Sequence, residues 1–410
     1  MKRIWPLVAS LALPCLLAGC TTQYADPVRA GEGGGAGTNA CARWTSETEC
    51  ARDTENGCSV QPNDVGCHLD DSSCVPWTCA SGDPYVRGSG GTLFLRARPF
   101  RFVGANAWGV AGRDGVCQYS GFASQQEVLS QVFGDLADMR VQVLRVWAFQ
   151  SYCGASGNDF SALDQVVRYA RAAGVRLIFV LENMWDDCSK GKRDDTWFGS
   201  GYRMPYGGYA LSFPDFTRGV VAHFRNEPTV LAWEIMHEAG GNDADAMLDF
   251  ATQMTTVVRK ADPNHLIVLG SDNGDSQATL VDGSPAPYAK LQGLDTVDMV
   301  DTHDFFTTDS TLTAREQADC SVAQSLRKPC FIGASAVSLS DTSTQEFSLR
   351  ASRVSSKAQA ALDAGFAGYL VYAYTPGWQK AQFDFDGRSG EPLAGRNGTL
   401  AELANQVRQR

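Results

Sequence analysis

From about residue 92 to the C-terminus, short β-branched or aromatic runs alternate with amphipathic stretches eight times over. The runs are FRFVGANAW, VQVLRVWAF, VRLIFVLEN, VLAWEIMHE, HLIVLGS, VDMVDTHDF, PCFIGAS and GYLVYAY. The stretches between them carry helix punctuation: Ser124 and Glu127 read as a capping box, and Gly174 stops the segment FSALDQVVRYARAA. Eight βα units predict an α/β chain folded as a (β/α)8 TIM barrel over 92–410. A doubly wound sheet would have fewer strands and a glycine-rich phosphate turn after the first, and GANAWG is not such a turn.

What precedes the barrel reads differently. Lys2 and Arg3 lead into IWPLVASLALPCLLAG, which is too short and too abruptly ended to span a bilayer, so 1–19 is expected to be a secretory signal. Leu17-Ala18-Gly19-Cys20 resembles the bacterial lipoprotein box. That resemblance implies lipidation of Cys20 and an exported protein anchored in the bacterial cell envelope, at the outer surface or in the periplasm. Residues 20–40 are too glycine-rich and polar to fold and read as a tether. Six cysteines between Cys41 and Cys79, with few aliphatics among them, predict a small disulfide-rich module at 41–79, and 80–91 is expected to be a linker. Of the five later cysteines, Cys320 and Cys330 lie close enough to close a disulfide. Cys117, Cys153 and Cys188 then leave one thiol free. With 46 acidic against 35 basic residues the chain carries −11, which argues against nucleic acid as a partner. A monomer without cofactor is expected, touching membrane only through a lipid on Cys20.

A barrel carries its chemistry at the C-terminal ends of its strands. Those ends offer Asn106 and Trp108, Arg145 and Trp147, Glu182, Asn183 and Trp185, His237 and Glu238, Asp272, His303 and Asp304, and finally Tyr372, Tyr374 and Trp378. Rings beside carboxylates, amides and a guanidinium suit a sugar, because pyranose faces stack on aromatics while hydroxyls need planar polar partners. Trp233, inside a strand, is expected to be core. A zinc site is disfavoured by spacing: position 241, four residues after His237, is Gly, and His223 and His303 fit no zinc helix. A serine esterase is disfavoured because GASAV around Ser335 lacks the second glycine of a nucleophile elbow.

Six of these motifs, VLRVWAF, LENMWDD, NEPTVLAWEIMHEA, VDMVDTHDF, KPCFIGAS and GYLVYAY, resemble in order the strand motifs of glycoside hydrolase family five, most closely its secreted β-mannanase and β-glycanase branches. The resemblance implies a site for a β-linked hexose polymer, mannan- or glucan-like, formed by Arg145, Trp147, Asn183, Trp185, His237, His303, Tyr372, Tyr374 and Trp378. It makes Glu238 the general acid/base, which requires a raised pKa; along the strand Glu234, Met236 and Glu238 point the same way, so Glu234 is expected deeper in the barrel as a structural carboxylate paired with Arg145. In the family a second Glu, ending strand seven, is the nucleophile; here the motif reads Ile332-Gly333-Ala334 and the attacking group is missing. His237 stands for the usual Asn, Phe305 for a Tyr and Tyr372 for a platform Trp. Three readings of Ala334 follow: a substitution made to trap substrate, a natural glycan-binding pseudoenzyme, or altered chemistry in which Glu182, Asp272 or Asp304 activates a water.

Overall fold

The computed structural model describes residues 83–113, 115–270, 286–307, 310–377, 382–386 and 391–409, together with strands 65–70 and 73–78. The expected signal, Cys20, the tether, Asp272 and Trp378 lie outside the described residues. So does the cysteine module, apart from the antiparallel hairpin of β1 (Val65–Asp70) and β2 (Ser73–Thr78). Among the described residues no helix is long and apolar enough to cross a membrane.

A small antiparallel sheet comes next: β3 (Val86–Ser89), β4 (Thr92–Leu95) and β5 (Arg98–Phe100). The barrel follows, with β6 (Phe102–Ala107), α1 (Gln125–Asp138), β7 (Val143–Trp147), α2 (Ser161–Ala173), β8 (Arg176–Val180), α3 (Asp195–Gly199), α4 (Phe213–Phe224) and β9 (Val230–Glu234). Its second half holds α5 (Ala244–Ala261), β10 (Leu266–Val268), α6 (Ala286–Gln292), β11 (Val300–Thr307), α7 (Ala314–Ser325), β12 (Cys330–Val337), α8 (Thr344–Asp363), β13 (Gly368–Val371) and α9 (Thr399–Gln409). All eight barrel strands are parallel in the order β10-β9-β8-β7-β6-β13-β12-β11, and a parallel bridge between Val268 and Met299 brings the two ends together. The eight-stranded (β/α)8 barrel expected from the alternation is therefore present.

The local rules account for the elements. Every residue of β7, β8 and β9 is buried, as parallel strands covered on both faces must be, and their VLRVW, RLIFV and VLAWE sequences are correspondingly apolar. Ser124 caps α1 by accepting from Glu127 N–H, while the Glu127 carboxylate reaches the N–H of Ala123, not that of Ser124, so the expected box is displaced by one residue. Gly174 ends α2 at φ +69°, a left-handed turn that costs glycine nothing.

The sheet β3–β5 closes the barrel floor: Val86, Leu93 and Leu95 pack with Phe102, Val143, Ile178 and Phe331. The linker expected at 80–91 thus contains a strand of the folded unit, because Val86 alternates inward onto that floor. With the floor plugged, only the opposite mouth can admit a ligand.

The cysteines pair in part as expected, with one of Cys117, Cys153 and Cys188 left free and the Cys320–Cys330 disulfide not formed. Cys117 and Cys188 form a disulfide between the loops after β6 and β8, and Cys153 is a buried free thiol. Cys320 and Cys330 are both free and buried, one on α7 and one opening β12; proximity in sequence did not decide the pairing.

Candidate active site

The site is anchored by a buried ion pair across the barrel axis. Arg145 on β7 donates from Nε to Glu234 Oε2 at 2.7 Å and from Nη2 to Oε1, and both side chains are wholly buried. Its Nη1 donates to Asn106 Oδ1 at 2.9 Å, and Asn106 Nδ2 donates to the carbonyl of Gly333 at 2.9 Å. One guanidinium thereby ties β6, β7, β9 and β12 together. Burial opposes its charge, and Glu234 more than offsets that. A Cβ at Gly270 would fall 1.8 Å from the Met236 carbonyl and 2.7 Å from Glu234 Oε1, so only glycine lets the β10 turn close over this pair.

The segment after β9 carries the next layer. Arg145 Nη2 lies 3.1 Å from His237 Nδ1; a guanidinium can only donate, so Nδ1 accepts and the proton resides on Nε2. Burial pushes His237 down to about 3, which keeps it neutral. Glu238 follows at φ +56°, a left-handed backbone that costs a non-glycine residue on the order of 1 kcal/mol, and functional groups are common at such positions. Its Oε1 accepts from His303 Nδ1 at 2.9 Å and its Oε2 from Trp185 Nε1 at 2.6 Å.

His303 in turn bridges two carboxylates, because its Nε2 lies 3.3 Å from Asp301 Oδ2. Burial alone would depress the imidazole, but its bonds to Asp301 and Glu238 carry it up to about 9. It is an imidazolium at neutral pH. Burial likewise opposes ionisation of Glu238. Against it stand a charge on His237, the bond and charge of His303, and the Trp185 N–H, which together hold the carboxyl well below the usual carboxylate range. Since His237 is neutral above about pH 3, His303 and Trp185 do this work near neutrality. In the unliganded site the ion pair with His303 thus holds the Glu238 carboxyl down, the opposite direction from the raised value expected of a general acid.

Position 334 can be located from the strand register. His303 pairs with Ala334, Asp304 with Ser335 and Phe305 with Ala336. Partners in a parallel ladder share a face, and His303 faces the mouth, so Ala334 faces it too. Asp304 points the other way, onto Lys357 of α8, and Ser335 accepts from Tyr369 OH at 2.7 Å on that same outer side. Phe305 is half-buried, 5.0 Å from the ring of Tyr372.

Several expected site residues lie elsewhere. Tyr374 is fully buried and its hydroxyl donates to Asp135 on α1, so it secures the helix layer and offers a ligand nothing. Asn183 spends its amide on the loop, donating to the Asp187 carbonyl at 2.8 Å and accepting from Trp185 N–H. Glu182 accepts from Ser189 and Tyr206 beside Arg193, and Asp304 is buried on Lys357; neither can activate a water at the mouth. Trp147 is nearly buried in a stack on Phe149, with His237 5.7 Å away. Trp185 is more than one-third exposed, with Lys192 Nζ 4.3 Å over its ring. His223 is remote, pairing with Asp164 on the surface, and Trp233 is core, as expected, donating to Asp262. Asp301 escaped the sequence reading, although its spacing of two residues before His303 puts both on one strand face. Glu234, His237 and His303 bring three possible metal-ligand atoms within 4.8 Å, but Arg145 already takes both oxygens of Glu234.

A family model described as cellulase (glycosyl hydrolase family 5) matches residues 106–370. Among curated proteins, the chain is 26% identical over 239 residues to mannan endo-1,4-beta-mannosidase A of Podospora anserina, covering 52% of this chain and 62% of that one. It is 24% identical over 229 residues to the mannan endo-1,4-beta-mannosidase A of Hypocrea jecorina, covering 49% and 52%. The chain thus spans about half to three-fifths of the length of these relatives. Among solved structures, the endo-1,4-beta-mannanase of Rhizomucor miehei superposes with a TM-score of 0.62 at 18% identity, covering 80% of this chain and 100% of that one. An endo-beta-1,4-mannanase of Thermotoga petrophila superposes with 0.56 at 19%, covering 75% and 77%. At such identities the structures establish the shared fold.

Proposed function

The chain belongs to glycosyl hydrolase family 5, and on that premise we propose that it holds a β-linked hexose polysaccharide, mannan-like or glucan-like, at the barrel mouth without cleaving it by the retaining route. Retaining hydrolysis needs two carboxyl groups about 5 to 5.5 Å apart, one to attack the anomeric carbon and one to protonate the leaving oxygen. The observation that carries the reading is the His303 register partner: a mouth-facing Ala334, which has no group that can attack. Glu238 adds to it, because a carboxylate held ionised by an imidazolium has no proton to give. Loss of a covalent nucleophile in a hydrolase costs on the order of 10⁶ in turnover.

The remaining groups suit binding. Trp185 offers an exposed ring for a pyranose face, His237 an Nε2–H for a hydroxyl, and Glu238 an acceptor whose geometry His303 fixes. The similarity to mannan endo-1,4-beta-mannosidases favours a mannan. Export with a lipid on Cys20 is part of the same proposal and rests on the sequence of the N-terminal segment. The test is calorimetric titration and product analysis against mannans, glucans and xylans. Saturable binding to one of them with no new reducing ends supports the reading; turnover at ordinary hydrolase rates ends it.

A further inference from the structure

Outside the mouth, the wall between β11, α7 and α8 contains a second ionisable cluster that glycan binding does not use. Lys357 Nζ contacts Asp304 Oδ2 directly and lies 3.2 Å from Glu316 Oε1, and all three side chains are at most 3% exposed. Two carboxylates therefore share one ammonium where water does not reach. Each group is held from its own side. Glu316 is pinned because its Oε2 accepts from Thr313 N–H at the start of α7. Asp304 lies 3.5 Å from Ser335 Oγ, which Tyr369 OH holds at 2.7 Å, and Lys357 projects from the fourth turn of α8.

We propose that Lys357 and Asp304 condense into an intramolecular isopeptide bond, with Glu316 as the proton carrier. The chemistry balances without oxidant or cofactor. One Nζ proton passes to the Asp304 carboxylate, directly or through Glu316 Oε1, leaving a neutral amine against a neutral acid. Nζ then attacks Cγ of Asp304, forming the C–N bond. Glu316 takes a second proton from nitrogen and delivers it to the departing hydroxyl, the C–O bond breaks, one water leaves, and Glu316 ends as it began.

The site favours the product for a general reason. In water, condensation of an ammonium and a carboxylate is disfavoured chiefly because both reactants are strongly hydrated ions. Here that hydration has already been lost, and forming the amide removes two of the three buried charges, leaving Glu316 as the one anion, held by the Thr313 N–H and the new amide N–H. Burial also raises the Asp304 carboxyl above its ordinary value, although Lys357 opposes this, which brings the acid closer to the protonated form the attack needs. The bond would join β11 to α8 covalently and leave Glu316 Oε1 to accept from the new amide N–H.

Peptide mass mapping of the purified full chain tests this. A branched peptide joining the segments of Asp304 and Lys357, lighter by one water than their sum and uncut by trypsin after Lys357, is the expected result. Glu316→Gln should yield folded chain with the two segments unlinked, since an amide cannot carry the proton. Linear peptides with free Asp304 and Lys357 in the parent chain overturn the proposal, whatever the variant does. Loss of one water without a branched peptide also overturns it, being a succinimide. A Glu316→Gln chain linked as fully as the parent overturns the role given to Glu316.

Discussion

His303 donates to Glu238 across 2.9 Å while its other ring nitrogen faces Asp301 at 3.3 Å, so one imidazolium lies between two carboxylates at the centre of the mouth. In a retaining hydrolase the corresponding acid must lose and regain a proton within each turnover. The pair with His303 makes Glu238 an acceptor of fixed geometry.

Stability should be greatest near pH 6.5 as far as these groups decide it. His237 is held at about 3 against an ordinary 6.5, so below 6.5 the unfolded chain binds a proton that the folded one refuses, and stability falls as pH drops. Glu238, depressed in the fold, adds to this acid limb below its ordinary range. His303 has the opposite sign: raised to about 9, its contribution is complete below 6.5 and is lost as pH climbs to about 9. Each limb should slope by about 1.4 kcal/mol per pH unit for each group involved. Urea unfolding from pH 4 to 10 measures this, and His303→Gln should flatten the alkaline limb; an alkaline limb of equal slope in that variant would remove His303 as its cause.

Trp185 and Tyr374 should separate binding from packing. Trp185→Ala removes an exposed ring and the N–H on Glu238 Oε2, so oligosaccharide affinity should fall by roughly 1 to 3 kcal/mol with little change in melting temperature. Tyr374→Phe removes the hydroxyl bonded to Asp135 and should cost about 1 to 3 kcal/mol of stability while leaving affinity unchanged. Titration calorimetry and thermal melts on both variants give the comparison; the reverse pattern would make Trp185 a packing residue.

The contrast between those two residues marks where sequence reasoning reached its limit. Alternation along the chain exposed all eight strands and their ends, because burial on both faces leaves apolar runs that any reading detects. It also paired Arg145 with Glu234, since charges inside such runs must find each other. It could not tell which side of a strand end a residue takes once regular pleating stops. Tyr372 and Tyr374 are two positions apart, yet one borders Phe305 at the mouth and the other reaches α1. Nor could it foresee the charge on Glu238, which depends on a His sixty-five positions away. Short separation also suggested a Cys320–Cys330 disulfide; the two thiols do lie in contact, but both are free.

Removing the N-terminal segment should be tolerated up to about residue 83 and not up to 90. A chain starting at Asp83 keeps β3 and its buried Val86 on the barrel floor, whereas one starting at Gly90 loses both and opens Leu93 and Leu95. Burying one such side chain is worth about 1.5 to 3 kcal/mol, and the freed edge of β4 adds unpaired backbone groups. The longer chain should melt cooperatively near the parent temperature and the shorter one several degrees lower. Equal melting would mean that the floor is sealed without β3.

Placing a carboxylate at residue 334 is the most demanding prediction. Ala334→Glu places an acid on the mouth face beside His303, and its negative charge should raise the Glu238 pKa toward the value a proton donor needs. Ala334 is fully buried, so the larger side chain carries an overpacking cost of about 1 to 3 kcal/mol, relieved only if it projects into the mouth. Phe305 offers no hydroxyl to orient it, which makes Ala334→Glu with Phe305→Tyr the fairer variant. Reducing-end release from whichever polysaccharide the parent binds, with retained anomeric configuration by NMR, is the expected outcome for the double variant. His303 sets the limit on rate, because while it stays an imidazolium it competes for both carboxylates; adding His303→Asn should therefore move the acid limb of the pH profile upward. A folded double variant that binds the polymer and releases nothing would mean that residue 334 does not face the bound sugar, and the strand-seven register would have to be reassigned.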